Sequence, residues 1–249
     1  KSGRDLQRIT NWEVFDDIED ENDSKVDQIV RIIQYLKTLP VKTVSINKVE
    51  ADDIIAYLSK ITPTSPKDKV FIVSSDKDFI QLVDDNVIVY RPIEKEYYTK
   101  DTVIEKFNIS PENFILYKTL LGDSSDKIKG VKGLGEKGLL KKFPELAEKN
   151  MVWGDILNIC EKKLKDHVVY ARVIQGRDTL EKNYKIMDLS NPMLSDKDKE
   201  WLDEVVYTND FSYYPSQFIT MYNEDQMGGL IRNIEFWIKD CFQNLVIKK

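Results

Sequence analysis

The alternation of short apolar runs with amphipathic segments in the first half of the chain most constrains its fold. The segment 41–46 (VKTVSI) and the apolar runs at 70–73 and 87–90 are predicted to be strands. The segments 50–61 and 78–83 between them carry apolar residues at helical spacing and are predicted to be helices. Strands that alternate with helices form βαβ units, so the sequence predicts an α/β fold with a parallel sheet. The run 70–73 is wholly apolar, which is typical of a strand buried on both faces.

The rest of the chain is predicted to be mostly helical. An acidic run at 13–27 is predicted to be solvated, and a helix is predicted from Ser24 to Pro40. The change of pattern near 95–110 has no Gly/Ser-rich linker, so we interpret it as a change of layer. The predicted helices beyond it are 100–107, 111–121, 136–149, 152–165, a tyrosine-rich stretch near 166–184, 197–205 and 224–245.

Composition restricts the chemistry that the chain can perform. The 249 residues include one histidine, His167, and two cysteines, Cys160 and Cys241, which form no CxxC pair. One histidine excludes a histidine-rich metal site, and it is the single candidate base for a Ser-His-Asp triad. The scarcity of cysteine indicates a reducing compartment. Asp and Glu (43) outnumber Lys and Arg (37), so nucleic acid would be bound only through a local basic patch.

Acidic residues form three clusters at positions that a parallel sheet would bring together. The first begins the helix 50–61, the second follows the strand 70–73, and the third follows the helix 111–121. Because ligands bind outside the carboxyl ends of parallel strands, we expect the first two clusters to converge. The seven carboxylates are those of Glu50, Asp52, Asp53, Asp76, Asp78, Asp123 and Asp126.

Seven carboxylates in one cleft would repel one another, and some would be protonated unless cations bind. Sites with only oxygen ligands suit Mg²⁺ or Mn²⁺. Two such ions about 4 Å apart can clamp the attacking and leaving oxygens of a phosphodiester. Each cluster by itself is also what a helix cap or a turn uses, and it is their combination and order that favour a metal site.

A segment rich in glycine and lysine, 127–142, supplies a basic patch. It contains six lysines and one acid, Glu136, and has the Gly-hydrophobe-Gly pattern of a helix-hairpin-helix. Glycines let the backbone approach a phosphate, and the following helix offers free N–H groups. A plain helical hairpin with a solvated basic face is the alternative. The expected DNA contacts are Lys127, Lys129, Lys132, Gly133, Gly135, Lys137, Gly138 and Lys141.

The order EADD, SSDKDF and GDSSDKIKGVKGLGEKG, within 40–145, resembles the 5′-nuclease (flap endonuclease) family. That family includes phage 5′→3′ exonucleases and the 5′-exonuclease domain of DNA polymerase I. The resemblance implies a PIN-like α/β nuclease with a parallel sheet, a helical arch and a helix-three-turn-helix motif. The implied parts are an arch remnant (1–27), the α/β nuclease core (28–108), the helix-hairpin-helix or helix-three-turn-helix (109–150) and a C-terminal helical region (151–249).

The resemblance also implies an activity, cofactors and a substrate. Phosphodiesters would be hydrolysed near a 5′ end, at DNA flaps, nicks or RNA primers, during replication or repair. Two Mg²⁺ ions would activate water, and K⁺ would bind at the hairpin. The implied catalytic ligands of one ion or both are Glu50, Asp52, Asp53 and Asp76, and those of mainly the second ion are Asp78, Asp123 and Asp126. The alternatives are a non-catalytic DNA-binding fragment and another Mg²⁺-dependent phosphoryl-transfer enzyme.

The sequence departs from the family at its N-terminus. The region that precedes the arch, with the first sheet strand and two further aspartates, has no counterpart before Lys1. The sequence therefore predicts a truncated protein, or the second polypeptide of a split enzyme, that is weak or inactive alone. A replication protein is a candidate partner at the helix 224–245. No membrane partner is expected, since no apolar run approaches ~20 residues, and the predicted location is the cytoplasm, of the host if a phage encodes the chain.

Overall fold

The structure is a computed structural model that describes residues 18–208 and 211–246. These residues form two compact units. One unit runs from Ser45 to Tyr207, and the other contains the described residues up to Val44 and from Thr208 onward. The predicted arch remnant, 1–27, is described only from residue 18, and its earlier part lies outside the described residues. The predicted boundaries of the family's parts stay a prediction.

Most elements are helices, linked by short strands. In chain order the helices are α1 (Ile18–Lys37), α2 (Ala51–Ile61), α3 (Lys100–Phe107), α4 (Phe114–Leu121), α5 (Glu136–Lys142), α6 (Glu145–Glu148), α7 (Trp153–Lys162), α8 (Val168–Gln175), α9 (Arg177–Met187), α10 (Asp196–Tyr207), α11 (Pro215–Glu224) and α12 (Ile234–Val246). The strands are β1 (Val70–Val73), β2 (Val87–Arg91), β3 (Glu96–Tyr98), β4 (Gly122–Asp123) and β5 (Ile128–Lys129). Asp78–Leu82 and Pro111–Asn113 form 3-10 helices.

The larger sheet has the strand order β1-β2-β3 and is mixed. β1 and β2 are parallel, with Val70 opposite Val87, in agreement with the predicted parallel sheet. β3, which was not predicted, is antiparallel to β2, with Val89 opposite Tyr98, so the predicted parallel sheet is a mixed sheet. The physical reason is the short turn 92–95, because so short a connection can join only antiparallel neighbours.

Two further predictions about strands are wrong. Residues 41–46 are irregular, because no described strand lies beside them to complete a ladder. β1 is not buried on both faces: Ile72 is buried, whereas the side chains of Phe71 and Val73 are 55% and 64% exposed. The sheet therefore buries only one of its faces in the described residues.

The predicted helices are present, but several have different ends. α1 already includes residues 18–23, which precede the predicted start at Ser24, so the described part of the acidic run is helical. The predicted helix 136–149 is interrupted at Pro144 and forms α5 and α6. The predicted helix 224–245 is interrupted by a segment that contains Gly228 and Gly229, between α11 and α12.

One apolar core extends through the unit Ser45–Tyr207. It includes Ile80 of the first 3-10 helix, Val89 of β2, Leu116 of α4, Leu139 of α5 and Val173 of α8. Because this core is continuous across 95–110, that region is a change of layer, as predicted. The core fixes α4 against the turn that follows β1, and this packing positions the acidic residues described below.

The other unit packs α1 with α11 and α12. Its core contains Leu39, Phe218 and Ile238. At the end of α11, the carboxylate of Asp225 accepts hydrogen bonds from Arg31 Nε and Nη2, each at 2.8 Å, and these bonds tie α1 to α11. Among the described residues, no helix is both long enough and apolar enough to cross a membrane.

Candidate active site

The N-terminus of α2 carries the first acidic cluster. Glu50 is the N-cap, and Asp52 and Asp53 lie in the first turn, where the helix dipole favours carboxylates. Asp53 is buried, and its Oδ1 accepts a hydrogen bond from the backbone N–H of Met193 at 2.9 Å. The helix start, rather than the end of the predicted strand 41–46, therefore positions this cluster.

The second cluster follows the carboxyl end of β1, as predicted. Asp76 Oδ1 accepts a hydrogen bond from the backbone N–H of Asp78 at 2.8 Å, which fixes the turn into the 3-10 helix. Asp76 is exposed, whereas the side chain of Asp78 is only 14% exposed. The two carboxylates therefore lie in different environments, one solvated and one packed against α4.

The third cluster lies in the short hairpin of β4 and β5. Gly122 has a φ of 83°, and a Cβ atom there would lie 2.4 Å from the backbone N of Gly130. The two strands can approach each other this closely only because both positions are glycine. Asp123 follows directly, and its Oδ1 accepts a hydrogen bond from the backbone N–H of Ser125 at 2.8 Å. Close packing of two glycines thus sets the position of Asp123.

The structure brings the three clusters together. One oxygen each from Asp78, Asp123 and Asp126 lie within 4.8 Å of one another. A cleft of about 400 Å³ is lined by six of the seven predicted carboxylates, namely Glu50, Asp52, Asp53, Asp76, Asp78 and Asp126. The seventh, Asp123, lines a neighbouring cleft of about 680 Å³, and Asp76 borders both clefts.

Electrostatics within the cleft agree with this geometry. Burial, followed by the negative charges of Asp76, Glu50, Asp53 and Asp126, raises the pKa of Asp52. Mutual repulsion of this kind is what a divalent cation would relieve. Burial would also raise the pKa of Asp123, but hydrogen bonds from Lys118 and Ser125 outweigh burial and hold that pKa well below its usual range.

Lys118 is a residue of this site that the sequence analysis missed. It lies on α4, and its side chain is 7% exposed. Its ammonium contacts Asp78 Oδ1 and lies 2.5 Å from Asp123 Oδ2. The signal in the sequence was a single charged residue in the otherwise uncharged helix FILYKTLL, shortly before Asp123.

The far wall of the cleft comes from α9 and the segment that follows it, which the sequence analysis also did not assign to the site. Asn183 lies on this wall, and its Nδ2 donates to the backbone oxygen of Lys129 at 3.4 Å. The apolar residues on the same wall are Ile186, Met187, Leu189 and Met193. Nothing in the local sequence of this wall resembles a site motif, so only the folded structure reveals it.

The donor set of the cleft fits a hard divalent cation. The candidate ligands are all carboxylate oxygens, which suit Mg²⁺ or Mn²⁺. The pKa of Asp52 is raised first by burial and then by the neighbouring negative charges, and a bound cation would neutralise those charges. The ligand sets of two separate ions, and the K⁺ site at the hairpin, stay predictions.

The lysine hairpin, which we define as residues 127–142, begins one residue before β5 and extends to the end of α5. Within the described residues, none of its lysine side chains has a hydrogen bond or an ion pair. Gly133 has a φ of 80°, and Gly135 caps α5. Arg172 of α8 supports the loop, since its Nη1 donates to the backbone oxygen of Lys132 at 2.7 Å. The exposed lysines are Lys127, Lys129, Lys132, Lys137 and Lys141.

Sequence comparison relates this chain to known nucleases. Residues 19–108 match the family described as "5′-3′ exonuclease, N-terminal resolvase-like domain". A 5′-3′ exonuclease of Aquifex aeolicus is 36% identical over 166 residues, 65% of this chain and 53% of the relative. A 5′-3′ exonuclease of Buchnera aphidicola is 42% identical over 123 residues, 48% of this chain and 42% of the relative. The chain thus spans about half the length of these relatives.

Solved structures show the same fold. The bacteriophage T5 flap endonuclease, in a pseudo-enzyme-product complex with DNA and metal ions, aligns over 82% of this chain and 76% of its own, with a TM-score of 0.61 and 23% identity. The T5 5′-exonuclease with bound zinc aligns over 83% of this chain and 76% of its own, with a TM-score of 0.60 and 23% identity. The fold is therefore the mixed α/β nuclease fold. The resemblance to the 5′-nuclease family is confirmed, and the chain is a homologue of the 5′-3′ exonucleases.

Proposed function

We propose that this chain is a structure-specific, metal-dependent 5′-nuclease that hydrolyses DNA phosphodiesters. The observation that carries the proposal is the convergence of oxygens from Asp78, Asp123 and Asp126 within 4.8 Å. Asp78 and Asp126 line a cleft together with four further carboxylates, in a homologue of 5′-3′ exonucleases. A cluster of this composition has a clear chemical use in phosphodiester hydrolysis, where negative charge develops on oxygens that cations can neutralise.

In this proposal the carboxylates divide into two sets that hold two Mg²⁺ ions. When bound, the ions supply charge neutralisation and an activated water nucleophile. Asp78, Asp123 and Asp126 form the set for the second ion, and the residues of the other set are Glu50, Asp52, Asp53 and Asp76. The backbone N–H groups that bind Asp53, Asp76 and Asp123 orient these carboxylates before any ion arrives.

The lysine hairpin would bind the phosphates of the duplex beside the cleft. Its ammonium groups are free of ion pairs within the described residues and can therefore contact phosphates without breaking an existing contact. Contacts to phosphates position a duplex without reading its sequence. We therefore propose that the substrates are defined by structure, as 5′ flaps, nicks or RNA primers, and that the process is primer removal in replication or repair.

The experiment is cleavage of a 5′-labelled flap DNA with Mg²⁺, with Mn²⁺ and with EDTA. Because the chain spans about half the length of the two exonuclease relatives, the assay is repeated with the N-terminal segment of a 5′-3′ exonuclease homologue added in trans. Metal-dependent product near the 5′ end, lost in Asp126→Ala and kept in the exposed control Glu105→Ala, supports the proposal.

Two other outcomes would assign the chain to a different class. Salt-dependent binding of the flap DNA in Ca²⁺, without cleavage under any of these conditions, would indicate a non-catalytic DNA-binding module. Neither binding nor cleavage would indicate another Mg²⁺-dependent phosphoryl-transfer enzyme, with the lysine hairpin a solvated surface.

A further inference from the structure

A buried lysine ammonium lies among the carboxylates of the candidate site. Lys118 is on α4, whose other residues on the buried side include Leu116 and Leu120. Its ammonium contacts Asp78 Oδ1 and lies 2.5 Å from Asp123 Oδ2. The side chains of Asp78 and Asp123 are each only 14% exposed. The ammonium is therefore shielded from water by the same elements that hold the acids.

The stoichiometry of this cluster argues against a simple structural ion pair. Burying an ammonium is costly unless it is paired, and one carboxylate is enough to pair it. Here two carboxylates share one ammonium, and the oxygen of a third, Asp126, lies within 4.8 Å of oxygens of both. The group keeps an excess of negative charge, so Lys118 neutralises only part of what a divalent cation would neutralise.

The contacts of Lys118 also fix which way the acids point. Asp123 is held at both oxygens, at Oδ2 by Lys118 and at Oδ1 by the backbone N–H of Ser125. Asp78 is held by Lys118 at Oδ1, and its Oδ2 has no hydrogen bond within the part of the chain that the structure describes. Without the ammonium, repulsion would separate the carboxylates of Asp78 and Asp123.

We propose that Lys118 is a resident cation that holds Asp78 and Asp123 in position while the site is free of metal. It is a positioning residue, because it acts through the two carboxylates rather than on the substrate. This inference rests on the proposed function, in that it requires the cluster to bind divalent cations. It follows that either the Lys118 ammonium or a bound divalent cation can neutralise the two carboxylates. A bound cation should therefore restore much of the stability that is lost when the charge of Lys118 is removed.

The test is thermal unfolding of the full chain in EDTA and in saturating Mg²⁺, for wild type, Lys118→Met and Lys118→Arg. Methionine keeps the length of the side chain and removes its charge. We expect Lys118→Met to lower the melting temperature by about 5–10 °C in EDTA, and Mg²⁺ to restore at least half of that loss. Lys118→Arg keeps the charge and should show a Mg²⁺ response close to that of wild type. Lys162→Met, an exposed position on α7, is the matched control and should change neither value.

An equal loss with and without Mg²⁺ would overturn the inference, because it would mean that Lys118 contributes packing only. No loss in EDTA would overturn it as well. Should Lys118→Met not fold, NMR of the lysine ammonium groups in the wild-type chain replaces it. A solvent-protected Nζ signal, absent from Lys118→Arg and shifted by Mg²⁺, supports the inference, and a signal unaffected by Mg²⁺ contradicts it. If Mg²⁺ stabilises neither wild type nor any variant, the proposed function itself fails.

Discussion

The carboxylate cleft and the lysine hairpin belong to one unit of the chain, yet they are built in opposite ways. The carboxylates come from three separate segments, and those of Asp53, Asp76 and Asp123 each accept a hydrogen bond from a backbone N–H. The lysines come from one continuous segment, and most of them are exposed. Within the described residues, no lysine side chain of that segment has an ion-pair partner.

This difference follows from the two kinds of ligand that the regions are proposed to bind. A small divalent cation requires oxygens at short, fixed distances, so its site must be rigid. A duplex is a long polyanion, and flexible ammonium groups can bind its phosphates in many arrangements. We therefore expect the loss of one carboxylate from the cleft to abolish most of the cleavage activity. We expect the loss of lysines from the hairpin to lower DNA affinity in proportion to the number of charges removed.

The largest effect is expected from Asp76→Ala. Asp76 borders both clefts, is exposed and is not bound by Lys118, so its removal takes away a candidate metal ligand and one hydrogen bond of the turn before the 3-10 helix, with little change to the core. Cleavage of flap DNA should fall by at least about 100-fold, since the loss of even a supporting group of a metal site costs about 10–100-fold. Affinity for the same DNA in EDTA should stay within about threefold of wild type, because the lysine hairpin is intact. A parallel loss of DNA affinity would show that the two regions are not separate in function.

The second effect is expected from replacing Lys129, Lys132 and Lys141 together with alanine. Each lysine that contacts a phosphate releases about one counterion, so the slope of log affinity against log salt should fall by about 2–3. The rate at saturating DNA and the affinity for Mg²⁺ should be unchanged, because none of the three lysines lines the cleft. Lys162→Ala, which removes an exposed lysine from α7, should leave the slope as it is, and an unchanged slope in the triple variant would remove the hairpin from the interface.

The third effect is expected from Gly130→Ala, at the position where the lysine hairpin packs against the backbone that precedes Asp123. A Cβ atom at Gly130 would lie 2.2 Å from the backbone carbon of Leu121, so the strands β4 and β5 would have to separate. We expect the free energy of unfolding to fall by about 1–3 kcal/mol, with loss of both Mg²⁺ binding and DNA binding. Gly154→Ala is the control, because a Cβ atom there meets nothing within 4 Å, and in a helix this change should stabilise the protein by a few tenths of a kcal/mol to about 1 kcal/mol.

Much of the cleft could be predicted from the sequence because its parts are local motifs. The acids of SSDKDF follow a short apolar strand, and the strand is where periodicity placed it, at 70–73. The acids of EADD begin an amphipathic helix, as its spacing predicted. Their convergence was inferred from a parallel strand at 41–46 that the structure lacks, yet the acids of both motifs line one cleft.

The parts that escaped prediction depend on contacts between distant residues. Lys118 is marked in the sequence only as the single charge of an otherwise uncharged helix, and it is the packing of α4 against the second and third acidic clusters that gives it two carboxylate neighbours. The bond between Asp53 and the backbone of Met193 joins residues 140 positions apart. The antiparallel β3 was missed because Glu96–Tyr98 is a short strand that lacks the apolar character used to identify the others.

The smallest effect is expected from Arg172→Ala, and it distinguishes support of the hairpin from contact with DNA. Arg172 donates to the backbone oxygen of Lys132, and a Cβ atom at Gly133 would lie 2.8 Å from its Nη1, so it fits closely against the loop. Loss of one such bond is worth about 1 kcal/mol, which corresponds to a fall of about fivefold in DNA affinity. If Arg172 only supports the loop, the salt slope should not change, whereas a fall of about 1 in the slope would mean that it contacts a phosphate itself. Arg177→Ala is the control, since Arg177 is exposed on α9 and its guanidinium pairs only with the adjacent, exposed Asp178 within the described residues.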